Sequence, residues 1–401
     1  MTTLRIPCTL MRGGTSRGLV FRREHLPNHR AEWDAIFLAA LGSPDPRQLD
    51  GVGAGDSHTS KVAIVNPCPD DAGADMEFLF GEVAITEARV DYAANSGNII
   101  AALGLYAVEE GWVEPVEPET RVRVRNLNNG KIIELQVPVV RGRAAEDGDF
   151  TIDGVPGPGP RIDMVFPHPE GTTTGKLLPT GKPMTRLDVP GIGPLDVSLV
   201  DSGNPIVCAK GEDFDLTAET MPNHLNAGWN TRAKIQALRS AASVAMGLVE
   251  DPGQAWEYSP LIPFPVLLFP PSSYSRFNHD GPPLEPGDMD ICARVISLDM
   301  AHKAINVTVT VALTSAAMIP GTLAHLLSGG RAAELSNGGE FRIGHPSGVL
   351  RARGRYGEGT DAEGAPRIAS VGLGRTARRI MDGEVLIQPH KLRWLKQLMG
   401  R

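Results

Sequence analysis

Asp91-Tyr92-Ala93-Ala94-Asn95-Ser96-Gly97-Asn98 runs directly into Ile99-Ile100-Ala101-Ala102-Leu103-Gly104-Leu105-Tyr106-Ala107-Val108. In the second part of this stretch the apolar residues occupy every face of a helix rather than one stripe. A helix apolar all round is buried, as the centre of a domain. Glu82-Val83-Ala84-Ile85-Thr86, just before it, alternates with period two and reads as a strand. Asn95 and Ser96 are N-cap residue types, and Gly97 lets the backbone approach a ligand closely. The first amides of a helix lack partners within it and the macrodipole adds positive charge, so this end suits an anion such as a carboxylate. By itself the stretch is equally what a capped core helix without a ligand looks like.

Upstream, Leu4-Arg5-Ile6-Pro7-Cys8-Thr9-Leu10 reads as a first strand. It delivers Met11-Arg12-Gly13-Gly14-Thr15-Ser16-Arg17-Gly18, a loop rich in amides and hydroxyls. Arg12 and Arg17 carry charge that can fork onto a carboxylate, although a tight hairpin turn reads the same way. The spacing is not that of a P-loop. Residues 31–41 have helical character. Ser57-His58-Thr59-Ser60-Lys61 then leads into the apolar strand Val62-Ala63-Ile64-Val65. Lysine is seldom buried without a task, and desolvation lowers an ammonium's pKa toward values useful to a base. A lysine that snorkels to the surface is the bland alternative. Strands are predicted at 121–125, 132–140 and 150–152. Gly171-Thr172-Thr173-Thr174-Gly175-Lys176 is one residue short of a Walker loop, and Leu177 follows its lysine.

A chain of 401 residues is long for one core. The Pro- and Gly-rich stretch 179–193 suggests the crossover between two domains. The second half repeats the logic of the first. Strand 195–200 leads to Asp201-Ser202-Gly203-Asn204-Pro205 and strand 206–209; helix 231–246 and strand 263–269 follow. Val295-Ile296-Ser297 precedes His302, and residues 306–318 form a second all-round apolar helix, closed by Ile319-Pro320-Gly321-Thr322. Two buried helices, each approached by strands and entered at an asparagine, imply related halves. His345, beside a proline in Gly344-His345-Pro346-Ser347-Gly348, reads first as a structural histidine, and so does His302.

Composition, at 41% hydrophobic and 21% charged, is that of a globular protein, and the formal charge of −8 argues against a nucleic-acid coat. The four cysteines are scattered without a CxxC, so neither zinc nor a disulfide framework is indicated. Without a cleavable signal pattern or a membrane-length apolar run, a cytoplasmic location is expected.

Met11-Arg12-Gly13-Gly14-Thr15-Ser16, Thr59-Ser60-Lys61, Asn95-Ser96-Gly97-Asn98, Ile319-Pro320-Gly321-Thr322 and Gly344-His345-Pro346-Ser347-Gly348 stand in the order and spacing of the PrpF-like isomerases. That family includes 2-methylaconitate cis-trans isomerase, 3-methylitaconate Δ-isomerase and 4-oxalomesaconate tautomerase. The resemblance runs from about residue 5 to 388. It implies an α+β fold like diaminopimelate epimerase, with two similar domains, each a mixed β-sheet wrapped around a central helix. The expected boundaries are 1–185, with 386–401 returning to this domain, and 186–385. The active site would lie in the cleft.

The resemblance places Lys61 on the family's essential lysine and Ser96 where a cysteine is usual. A serine hydroxyl is too weak an acid to replace a thiol as an independent base. A mechanism centred on Lys61 is therefore implied, with Ser96 as helper, moving an allylic proton without metal or organic cofactor. Substrate contacts are expected from Arg12, Gly13, Gly14, Thr15, Ser16, Ser57, Thr59, Ser60, Asn95, Gly97 and Asn98. Thr308, Gly321, Thr322, His345 and Ser347 complete the set. The expected partner is a small anionic polycarboxylate, not nucleic acid or membrane, and homodimer formation is left open. A polycarboxylate-binding homologue that has lost the chemistry is the alternative.

Overall fold

Chain contacts divide the protein, a computed structural model describing residues 2–68, 73–277, 281–330, 334–335, 339–362 and 364–400, into two units. The first comprises Met1–Thr151, Pro158–Ile162 and Arg375–Arg401, and the second Ile152–Gly157 and Asp163–Gly374. The crossover thus falls near 151–163 rather than 179–193. The Pro- and Gly-rich stretch lies inside the second unit and holds β10 (Thr185–Val189) and the turn 190–192 that joins it as a hairpin to β11 (Gly193–Ser202). The returning segment begins at Arg375 rather than 386, because β19 (Ala377–Ile387) pairs along its length with β1 (Leu4–Gly13).

In the first unit β1 also pairs antiparallel with β2 (Ser16–Arg22). The sheet continues through β3 (Lys61–Pro67), parallel to β2, and β4 (Met76–Val83), antiparallel to β3. Next come β6 (Glu119–Asn126), parallel to β4, then β7 (Ile132–Val140) and β8 (Arg143–Ala144), both antiparallel. A short β5 (Val90–Asp91) doubles back on the end of β4. Parallel neighbours need a crossover. α1 (Trp33–Leu41) supplies one between β2 and β3, and α2 (Gly97–Glu109) lies between β4 and β6.

The two helices take opposite faces of the sheet. Ile36, Phe37 and Leu41 of α1 share a core with Leu19, Phe21, Val62 and Ile64, closed by Leu395 of the C-terminal helix Pro389–Leu398. Period two then turns Lys61, Ala63 and Val65 to the other face, where α2 packs against β1, β2, β6, β7, β8 and β19. Every residue of α2 from Gly97 to Val108 is buried. Covering a helix on all sides requires a sheet that curls around it, which is why the apolar pattern around residue 100 dictates the architecture.

The second unit repeats this topology. β11 pairs antiparallel with β12 (Asn204–Lys210), which runs parallel to β13 (Phe264–Phe269). β14 (Ile291–Ser297) is antiparallel to β13 and carries the short β15 (Met300–Ala301). β16 (Glu340–His345) is parallel to β14, and β17 (Gly348–Thr360) and β18 (Pro366–Arg375) follow antiparallel, with β9 (Ile162–Pro167) against β18. α3 (Pro222–Ala227), α4 (Trp229–Ala245) and α5 (Ala255–Tyr258) occupy the connection that α1 fills in the first unit. α6 (Val307–Ala317), buried at every residue, corresponds to α2, and α7 (Leu323–Leu327) follows it.

Two expected strands differ. β4 ends at Val83, where Ala84 N–H bonds Arg89 C=O in a turn, so only Glu82 and Val83 of the stretch 82–86 are strand. Phe150 forms only an isolated bridge, to Gly159, because the Pro- and Gly-rich residues after it cannot sustain a ladder.

In both units the hairpin ahead of the crossover packs its turn onto the first turn of the central helix. A Cβ on Gly13 would lie 2.1 Å from the backbone oxygen of Asn98, and Gly14 has φ +50°. In the second unit Gly203 has φ +74° beside the oxygen of Thr308. The side-chain bond across this junction runs in opposite senses. Asn98 on α2 donates to Thr15 Oγ1 of the turn (3.1 Å), whereas Asn204 of the other turn donates to Thr308 Oγ1 on α6 (2.8 Å). Gly13→Ala should cost about 1–3 kcal/mol by overpacking this junction. Gly383→Ala, on open β19 with nothing within 4 Å of the new methyl, should be near neutral. Urea melts of the two variants check this, and equal midpoints would mean that the turn yields freely.

Candidate active site

Lys61 is the first residue of β3 and stands opposite Gly18 on β2 and Glu82 on β4. Its side chain is only 6% exposed, and Nζ lies 5.5 Å from the centre of the Phe80 ring. Nζ donates a hydrogen bond to Oε2 of Glu82, whose side chain is 2% exposed. Glu82 Oε1 has no hydrogen-bonding partner among the described residues. On its other side Glu82 stands opposite Asp91 of β5, itself buried. Lysine, glutamate and aspartate therefore form a row across three strands on the face that covers α2. Burial raises the Glu82 carboxyl from 4.5 to about 7; Lys61 opposes the rise, and Asp91 and Asp56 add to it. Local sequence patterning does not single out Glu82. Its only signal is a charge in period-two register with the buried Met76, Phe78 and Phe80 of β4.

The loop before Lys61 is braced from behind. Ser60 Oγ donates to Val83 C=O (2.7 Å) and accepts from Gln48 Nε2 (2.7 Å), while Val83 N–H bonds Ser60 C=O. Thr59 Oγ1 donates to Asp56 C=O. The hydroxyls of Thr59 and Ser60 thus brace the loop, and period two turns Ser60 away from the face that carries Lys61. Ser57 is buried in the same loop. His58 Nδ1 meets Asp56 Oδ1 at 2.6 Å.

The Gly13–Gly14 turn brings further charge. Arg12 does not present a free fork: its Nη1 donates to Gly14 C=O, Thr376 C=O and Thr376 Oγ1 at 2.9–3.0 Å. Gly14 N–H also bonds Thr376 C=O. Burial, with Arg378 nearby, lowers the Arg12 pKa. Arg375 is buried beside the same turn, its Cδ 3.1 Å from where a Gly14 methyl would sit, and burial lowers it to about 9. Arg17 Nε has no hydrogen-bonding partner among the described residues. Ser16 is buried opposite Gly13. Ser96 is the N-cap of α2; its C=O accepts from Ile100 N–H, but its side chain makes no capping bond. Asn95 and Ser96 are both buried. The hydroxyl is left to other work, and Gly97 and Asn98 open the helix.

Strand order brings these parts together. β2, which leaves the glycine turn, neighbours β3 and Lys61; β4 and β5 carry Glu82 and Asp91, and α2 begins a few residues later.

The second-unit residues are placed by themselves. Thr308 accepts from Asn204. Thr322 Oγ1 caps α7, accepting from His325 N–H and donating to Ala316 C=O (2.6 Å), and Gly321, at φ +88°, makes the turn before it. Both serve local structure in this way. His345 Nδ1 accepts from Ser347 N–H, and Ser347 Oγ donates to Lys303 C=O. The Walker-like loop already holds an anion of its own chain: the amides of Thr172, Thr173 and Thr174 converge on the Asp201 carboxylate at 2.6–3.1 Å.

A carboxyl whose pKa is higher folded than unfolded stabilises the fold below its unfolded value, and loses that contribution as pH rises through the folded value. Glu82→Gln should therefore gain stability relative to the natural chain as pH rises from about 4.5 to 7. Removing one partner of a buried pair costs about 3–5 kcal/mol. Glu82→Leu, which strands the ammonium, should cost more than Lys61→Met, and the double variant should regain most of the loss. Denaturant midpoints at several pH values test this; losses that simply add would mean the two groups do not interact.

A family model described as PrpF protein matches residues 3–388. The 3-methylitaconate isomerase of Eubacterium barkeri is 36% identical over 391 residues, covering 97% of this chain and 99% of its own. The 2-methyl-aconitate isomerase of Shewanella oneidensis is 33% identical, over 96% and 97% of the two chains. The (4E)-oxalomesaconate Delta-isomerase of Novosphingobium sp. strain KA1 is 36% identical, over 95% and 97%. A crystal structure of methylitaconate-delta-isomerase superimposes with a TM-score of 0.75 and 36% identity, over 98% of both chains.

Proposed function

The chain belongs to the PrpF family and is an isomerase of small unsaturated carboxylates, and from that premise we propose that it moves one allylic proton with Lys61 as the base. The observation that carries this reading is the burial of the Lys61 amine on the sheet face that also covers α2. The Nζ lone pair takes a proton from the carbon next to an alkene conjugated with a carboxylate. The C–H electron pair delocalises into a dienolate, with its charge on the carboxylate oxygens. Nζ then returns the proton to the far end of the allylic system, which shifts the double bond, or to the original carbon after rotation, which changes its geometry. No other group is consumed.

The developing charge calls for fixed donors where water is excluded. The opening amides of α2, with its macrodipole, and the guanidinium groups of Arg375 and Arg12 beside the glycine turn offer that environment. They come from separate segments and suit a substrate with at least two carboxylates. Three substrates appear among the relatives' names, and the substrate proposed here is the class they share, a short branched unsaturated di- or tricarboxylate. Ser96, its hydroxyl free of capping duty, serves as a hydrogen-bond donor to the intermediate.

Lys61→Ala should lower kcat by roughly two to four powers of ten, read as loss of double-bond isomerisation and of deuterium uptake at the allylic carbon. Near-normal turnover would remove the lysine from the mechanism. Ser96→Ala should keep measurable activity, losing about 1–3 kcal/mol of transition-state stabilisation, and Ser96→Cys should remain active. A covalent adduct trapped on Ser96 would contradict the helper role.

A further inference from the structure

We propose that Glu82 receives and holds the proton of Lys61 while the amine works as a base, so that the two side chains act as one dyad carrying a single proton between them. This rests on the reading of Lys61 as the base. In the ion pair the nitrogen has no lone pair and cannot take a proton from carbon. The proton has to leave Nζ first, and bulk water reaches it poorly: the lysine side chain is 6% exposed and the glutamate 2%. Glu82 Oε2 already accepts the Nζ hydrogen bond and is the nearest base. Transfer breaks one N–H bond and forms one O–H bond, giving a neutral amine beside a neutral carboxylic acid. The allylic proton then travels to Nζ and on to the far carbon, while Glu82 keeps its own proton.

The surroundings of Glu82 favour that neutral form. Asp91 on β5 faces it directly, and Asp56, in the loop before β3 and paired with His58, adds a second like charge. Lys61 on β3 is the cation whose field opposes them, and Phe80, two residues back on the same strand, is apolar. Oε1 lacks a donor among the described residues, so the carboxylate is under-satisfied when ionised. The same crowding lifts the Glu82 carboxyl to about 7. A substrate bearing carboxylates adds further negative charge to the site.

The dyad makes a distinctive claim about pH. Once it carries a single proton, the fraction with that proton on Glu82 no longer depends on pH, so the kcat of the natural chain should level off above about 7. In Glu82→Gln the amide cannot accept the proton. The free amine must then form by loss to solvent, and kcat should climb close to tenfold per pH unit over the range where the natural enzyme is flat. Glu82→Asp, which keeps an ionisable acceptor, should restore the plateau at a lower rate. A Gln variant lowered by a constant factor, with the natural profile shape, would reduce Glu82 to a structural part and overturn the proposal. So would a natural enzyme that keeps climbing through pH 9.

Should Glu82→Gln fail to fold, carbon-13 NMR of the natural enzyme labelled at its glutamate carboxyls decides. A buried carboxyl titrating near 7 together with the Lys61 ε-carbon supports the dyad, and glutamates that all titrate in the ordinary range overturn it. Failure of the base assignment itself reads separately, as turnover that survives Lys61→Ala.

Discussion

A helix that is apolar on every face has to be covered on every face. α2 is buried from Gly97 to Val108 and α6 along its whole length, and a flat sheet covers only one side of a helix. The sheet of the first unit therefore curls so that β19, β1 and β2 on one flank and β6, β7 and β8 on the other all reach α2. Closing that wrap brings the β1–β2 turn onto the helix entry, and only glycine fits there, since Gly13 and Gly14 sit against Asn98. Most of what matters for function follows from this constraint. The N-terminus of a buried helix is held beside a loop of amides, a setting where positive partial charge meets little water.

The second constraint is the cost of placing an ammonium in such a wall. Lys61 occupies an inward position of a strand whose next four residues are Val, Ala, Ile and Val, and burial of an unpaired charge there would be prohibitive. The fold answers with Glu82 directly across the β3–β4 ladder. Asp91 across the next ladder then makes the row rich in negative charge, more than a purely structural ion pair needs. An arrangement of this kind is a poor source of stability and a good way to keep a proton mobile.

The two units share one topology and differ at the start of the strand that follows the crossover. β3 begins with Lys61, whereas β13, in the same position of the repeat, begins with Phe264. The Asn–Thr bond between turn and helix runs in opposite directions in the two halves, so one scaffold tolerates either polarity. The motif residues Gly321 and Thr322 turn the chain and cap α7, and Thr59 and Ser60 lock the loop behind Lys61.

Sequence alone determined the periodic features. The all-round apolar runs gave the two central helices, their matching approach strands gave the duplication, and the glycine turn and the lysine before an apolar strand pointed to the candidate site. These are local patterns, written in spacings of two and 3.6 residues. The tertiary structure decided what depends on register between strands far apart in the chain. Lys61 and Glu82 meet because β3 and β4 pair in one register, and a slip of one residue would turn either of them to the α1 side. Arg375 reaches the Gly14 turn because the chain returns to the first unit there, and Arg12 is held by Thr376 for the same reason. The crossover expected at 179–193 lies elsewhere for the same reason, since a Pro- and Gly-rich stretch reads alike as a crossover or as part of a hairpin until its strands are seen to pair. Local preference is set by neighbours along the chain, whereas partnership between charges is set by the ladder that brings them together.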